Sequence, residues 1–80
     1  MKNFVQLETD ETLWFDISKI SHVVGCDHTC FGNNDTYTSL IHAETLLPQM
    51  KSMGYRLLNV SSTYDSQRDY VHHYFNFVLK

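Results

Sequence analysis

His22, Cys26, His28 and Cys30 fall within one nine-residue stretch, His-Val-Val-Gly-Cys-Asp-His-Thr-Cys. Thiolate sulfur and imidazole nitrogen are the soft donors that zinc takes in a tetrahedron. Along an extended strand Cys26, His28 and Cys30 would share one face, and a turn could carry both sulfurs to one ion. His72 and His73 could add ligands from far along the chain. Against this, zinc arms usually come as two separated pairs, and here there is one pair with scattered histidines. More plainly, the segment is a loop whose half-buried Cys packs as a small hydrophobe. A Cys26–Cys30 disulfide would close a very small loop and stabilise little.

Nucleophilic catalysis would need a base within reach of a thiol and a third group to orient it. His28 is near in sequence, but neighbours in a loop need not touch. No Gly-rich loop follows a strand, and no Gly-x-Ser-x-Gly or His-Glu-x-x-His pattern occurs. The expectation is a protein that is not an enzyme and carries no cofactor.

Two other groups of residues suit binding. Glu8, Asp10, Glu11 and Asp16 lie close together with Trp14 among them and no base between them. Tyr70, His72 and Tyr74 alternate along the last strand, so all three share one face. Tyr and Trp are enriched at interfaces because each joins a large contact area to a polar handle. The acids complement a basic surface, which sets on-rate and specificity more than raw affinity.

The elements that must position these residues follow from periodicity. Residues 4–7 alternate as a strand, 9–12 form a polar turn, and 13–17 alternate again, which predicts a hairpin. Residues 20–25 read as a third strand, 27–36 as a loop rich in Gly, Asn and Asp, and 36–41 as a fourth strand. Ala43, Leu46, Leu47, Met50 and Met53 have helical spacing, with Gly54 just beyond as a left-handed cap. Pro48 favours a helix that starts late, with Thr45 as its N-cap and the proline in the first turn. Residues 55–61 form the fifth strand, 62–68 a turn, and 69–79 the sixth and longest strand. In that strand Val71, His73, Phe75, Phe77 and Leu79 form the predicted core face. The predicted fold is α+β: a small antiparallel sheet or partial barrel of five to six strands with one helix, order ββββαββ, in a single domain.

Val5, Leu7, the turn at Glu11, Ile17, Ile20 and the strand-to-helix step from Leu40 to Leu47 resemble the short β-rich flagellar proteins of the FlbD type. The likeness covers about half the chain and consists mostly of hydrophobic spacing, so it implies no function.

Eighty residues with 14% aromatic content and a formal charge of −3 exclude a disordered tail. Three Gly and one Pro exclude a collagen-like or low-complexity chain. No apolar run approaches the roughly 18 residues of a membrane span, and the start MKNFVQLETDET lacks the apolar core of a signal peptide. A cytoplasmic location with free thiols is therefore expected. Asn59-Val60-Ser61 fits a glycosylation sequon but falls in a predicted strand. The acidity is uneven. Residues 1–40 set Lys2 and Lys19 against Glu8, Asp10, Glu11, Asp16, Asp27 and Asp35, whereas residues 41–80 carry four bases and three acids. Without a basic groove, direct nucleic-acid binding lacks its main attraction.

The leading expectation is a small acidic protein-binding regulator or inhibitor that meets a basic surface through Glu8, Asp10, Glu11, Trp14, Asp16, Tyr70, His72 and Tyr74. An extreme form would occupy a basic groove, as compact phage inhibitors of the anti-CRISPR type do. One alternative is a zinc-binding structural module built on Cys26, His28 and Cys30. Another is an accessory domain that forms a homodimer through its C-terminal strand, since long strands pair edge to edge.

Overall fold

The computed structural model describes residues 2–26, 31 and 40–80. Its elements are β1 (Phe4–Thr9), β2 (Trp14–Asp16), α1 (Ile17–Val24), β3 (Leu40–His42), α2 (Ala43–Ser52), β4 (Tyr55–Asp65) and β5 (Tyr70–Leu79). The fold is α+β, with five antiparallel strands in two sheets and two helices among the described residues. The larger sheet has the order β1-β5-β4 and the smaller one pairs β2 with β3. Among the described residues the sheets do not close into a barrel.

The expected hairpin of the first two strands does not form. β1 pairs with β5 along its whole length, from Phe4 opposite Val78 to Thr9 opposite His73. β2 instead pairs with β3, Trp14 opposite His42. The turn between β1 and β2 redirects the chain. The Asp10 carboxylate accepts from the Thr12 backbone N–H at 2.9 Å, and Leu13 takes a positive φ of 62°. Such a φ is uncommon for a side chain branched beyond Cβ. The Leu13 carbonyl then accepts from the Ala43 N–H, and the Thr9 hydroxyl donates to the Trp14 carbonyl.

The predicted third strand is the helix α1. Asp16 is its N-cap, with the carboxylate accepting from the Ser18 N–H, and Gly25 ends it in the left-handed region at φ 78°. Ile17, Ile20 and Val24 bury one stripe of it, which three- and four-residue spacing puts on one face. The fourth strand is seen only as Leu40–His42; residues 36–39 lie outside the described ones.

Helix α2 starts earlier than expected, at Ala43, with the His42 ring as N-cap acceptor for the Glu44 N–H at 3.2 Å. Pro48 is therefore inside the helix and not in its first turn. Burial of Ala43, Leu46 and Met50 on one stripe fixes this start. The helix ends on Met53, and Gly54 follows at φ 93° to turn the chain into β4.

Both helices and the small sheet share one core with the larger sheet. Val5 and Leu7 of β1 and Phe75 and Phe77 of β5 meet Ile17, Ile20 and Val24 of α1 and Leu46 and Met50 of α2. Phe15 and Phe75 pack edge to face with centroids 5.3 Å apart. Phe75 and Phe77 thus face the core as predicted, whereas Val71, His73 and Leu79 are only half-buried.

The opposite face of the larger sheet is polar and ordered across strands. Gln6 Nε2 donates to Asn76 Oδ1 at 3.0 Å, and Asn76 Nδ2 donates to Asn59 Oδ1 at 2.7 Å. Cross-strand register places these three amides side by side on β1, β5 and β4, which keeps the buried Asn76 satisfied. β5 is the middle strand with both edges filled. Edge-to-edge pairing of a second copy through that strand, as expected from its length, is therefore closed off.

Candidate functional site

Three acids of the first strands converge on one hollow of about 420 Å³ beside β1 and α1. Glu8, Asp10 and Asp16 line it together with Tyr70 and Lys19, above a floor of Leu7, Phe15, Ile20 and Val23. Each arrives by a local rule. Glu8 alternates outward along β1, Asp10 closes the turn after it, and Asp16 caps α1, whose first turn brings Lys19. Tyr70 comes from the start of β5.

Two of the carboxylates are held by short local hydrogen bonds. Asp10 Oδ1 accepts from both the hydroxyl and the backbone N–H of Thr12. Asp16 Oδ1 accepts from the Ser18 hydroxyl at 2.7 Å and the Ser18 N–H at 2.9 Å. The Thr12 and Ser18 hydroxyls are the main reason that both carboxyls sit below the usual aspartate range. Both keep their charge into mild acid, and in both the local hydrogen bonds fall on Oδ1.

Beside the hollow, β5 carries a ring column. Tyr70 and His72 have centroids 4.4 Å apart, and His72 and Tyr74 stack at 6.1 Å with planes 16° apart. His72, one of the expected contact residues, is only 9% exposed. Its Nδ1 meets Glu8 Oε1 at 2.9 Å and its Nε2 meets Asp65 Oδ2 at 3.3 Å. A ring with both N–H protons donates to both carboxylates, and a ring with one proton donates to only one. The imidazole thus ties β1 to the end of β4 and holds Glu8 at the rim. Tyr70 and Tyr74 flank it and remain half-buried.

Six of the eight expected contact residues therefore gather at the hollow or on the adjoining column: Glu8, Asp10, Asp16, Tyr70, His72 and Tyr74. Glu11 is exposed in the turn outside the hollow's lining. Trp14 is also outside it, half exposed, with its ring edge-on to His42 at 5.1 Å. Lys19 and Asp65 had no place in the expectation. Asp65 precedes a Ser-Gln-Arg turn and accepts from the Gln67 and Arg68 backbone N–H groups. Such an Asx cap is legible in sequence, but its reach to His72 depends on cross-strand register.

The hydrogen bond from His72 is the main cause that lowers the Asp65 carboxyl, as the Thr12 and Ser18 hydroxyls lower Asp10 and Asp16. A depressed folded-state value stabilises the fold above the unfolded value, about 3.9 for Asp. That contribution is lost as pH falls through the still lower folded values. The urea midpoint is therefore expected to fall below about pH 4 through these groups. In Asp16→Asn, which still caps the helix but does not titrate, the fall should be shallower. An identical acid limb in that variant would remove Asp16 from the account.

Of the expected zinc ligands, His28 and Cys30 lie outside the described residues. Cys26 packs half-buried against the core and is disulfide-bonded, not a free thiol. In that state it offers no thiolate to a metal. Among the described residues, no group of three His, Cys, Asp or Glu side chains could hold a metal ion. No described helix is long and apolar enough to cross a membrane. Comparison with known proteins finds no matching family, no similar curated protein and no similar solved structure.

Proposed function

We propose that the protein is a small non-catalytic binding module, a regulator or inhibitor, that docks on a basic surface of a partner protein. One observation carries this reading: Glu8, Asp10, Asp16 and Tyr70 line a single hollow with an apolar floor. Three carboxylates there face one lysine. A partner Arg or Lys fits such a place twice over. Its aliphatic stem lies on Phe15, Ile20 and Val23, and its cationic head meets Asp10 and Asp16 with the Tyr70 ring alongside. The surrounding acidity steers the encounter and makes it sensitive to salt. Used as an inhibitor, the same face would mask a basic groove that otherwise receives a polyanion, in the manner of anti-CRISPR-type phage inhibitors.

The hollow and diffuse acidity make different predictions for an arginine-rich peptide titrated by calorimetry. Asp10→Asn should weaken binding about tenfold, since a hydrogen bond to a charged group contributes about 1.5–3 kcal/mol. Glu11→Gln removes a charge of the same turn outside the hollow and should change affinity less than about twofold. The salt dependence of binding should become shallower in Asp10→Asn. Equal losses in both variants would point to diffuse acidity, and unchanged binding in Asp10→Asn would refute the proposal.

A further inference from the structure

The strand β4 forms one edge of the larger sheet, and among the described residues nothing pairs with its outer side. It is eleven residues long and exposed from Arg56 to Tyr64, with only Tyr55 at its start buried. Leu57, Leu58, Val60 and Tyr64 are 36%, 48%, 44% and 58% exposed. Edge strands usually carry charges or proline against unwanted pairing. Residues 57–64 hold neither. The one irregularity is a bulge at Leu58, between the pairs Leu57–Phe77 and Asn59–Asn76.

That bulge decides what fits the edge. Side chains on the core face of β4 follow Leu57, Val60, Ser62 and Tyr64. Those on the polar face follow Arg56, Asn59, Ser61, Thr63 and Asp65, because the extra residue shifts the alternation by one. In an antiparallel pairing of two such strands about a two-fold axis at Ser61, Val60 lies opposite Ser62 and Asn59 opposite Thr63. Beyond the bulge, Leu57 of each copy then meets Tyr64 of the other. Arg56 meets Asp65, and both pairs match in face. Opposite-charge and aromatic–aliphatic pairs at directly opposed positions are favourable in sheets. Arg56 makes no ion pair within the chain among the described residues. We propose that a second copy of this chain occupies this edge, giving a two-fold dimer with a continuous six-stranded sheet of order β1-β5-β4-β4-β5-β1.

The two-fold makes the contact isologous, so every residue meets its complement twice. The acidic hollow lies beside β1, at the other edge of the sheet from β4, and a dimer would present two of them. Neither proposal depends on the other.

Sedimentation of the protein over a concentration series tests the dimer directly. A reversible monomer–dimer equilibrium is expected, and a strict monomer up to about 1 mM would overturn the proposal. Ser61 is small and exposed, so charging it leaves the monomer fold alone, which circular dichroism checks. Ser61→Lys and Ser61→Glu should each raise the dimer dissociation constant at least about tenfold, because like charges then face each other across the axis. Mixing the two variants should restore association as a heterodimer. Single variants that associate as the wild type does would place any dimer elsewhere and refute the β4 register.

Discussion

Replacing Phe77 by Ala is expected to lower the stability of the fold by about 3–5 kcal/mol, the usual loss for a fully buried phenylalanine. Phe77 is 1% exposed and is the largest fully buried side chain among the described residues. It sits on the middle strand, opposite Val5 on one side and Leu57 on the other. Its removal therefore leaves a cavity where sheet and helices meet. Stabilities of about 0.05–0.15 kcal/mol per residue leave a domain of this size little margin. Urea unfolding followed by circular dichroism should show the midpoint displaced strongly, with part of the population unfolded in water. A change below about 1 kcal/mol would mean that the core is not centred on β5.

Pro48→Ala should act in the opposite sense. Pro48 is exposed on α2 yet lies six residues into the helix. A residue there would normally donate its N–H to the Glu44 carbonyl, four positions back. Proline has no such proton, and its ring crowds that carbonyl, at a cost of about 3 kcal/mol in a helix interior. Alanine restores the bond. Part of the gain is offset because proline also stiffens the unfolded chain, by about 0.4–1 kcal/mol. The net expectation is about 2 kcal/mol of added stability, read as a higher urea midpoint with unchanged slope. A loss of stability would mean that the proline ring supports a contact that alanine cannot make.

The sequence made some of this architecture legible, for identifiable reasons. β5 was readable because its alternation persists through Phe75 and Phe77, and period two has few competitors over ten residues. α1 reads as a strand because Ile17, Ile20, Val23 and Val24 are β-branched. The helix signals were there, in Asp16 at the N-cap and Gly25 after the last turn. The failed hairpin has another cause. β1 finds its partner some seventy positions away, Gln6 beside Asn76, and local turn chemistry says nothing about so distant a pairing. The same limit applies at the site. The acids from Glu8 to Asp16 are clustered in the sequence itself, but Tyr70 joins them only through that long-range register. His72 likewise finds Asp65 seven positions back only because a hairpin folds the strand over.

The central position of β5 also bears on the order in which the chain can acquire its structure. β1, β2, α1, β3, α2 and β4 all precede it along the chain, and among the described residues neither β1 nor β4 has another partner in the larger sheet. While a ribosome makes this protein, those two strands wait unpaired until β5 emerges. The β4–β5 hairpin can close first, since only residues 66–69 separate its strands. β1 can then dock on the far side, closing the longest loop in the fold. Contacts of such separation slow folding because loop entropy is lost before they form. The nascent chain is thus expected to stay protease-sensitive until β5 is clear of the exit tunnel.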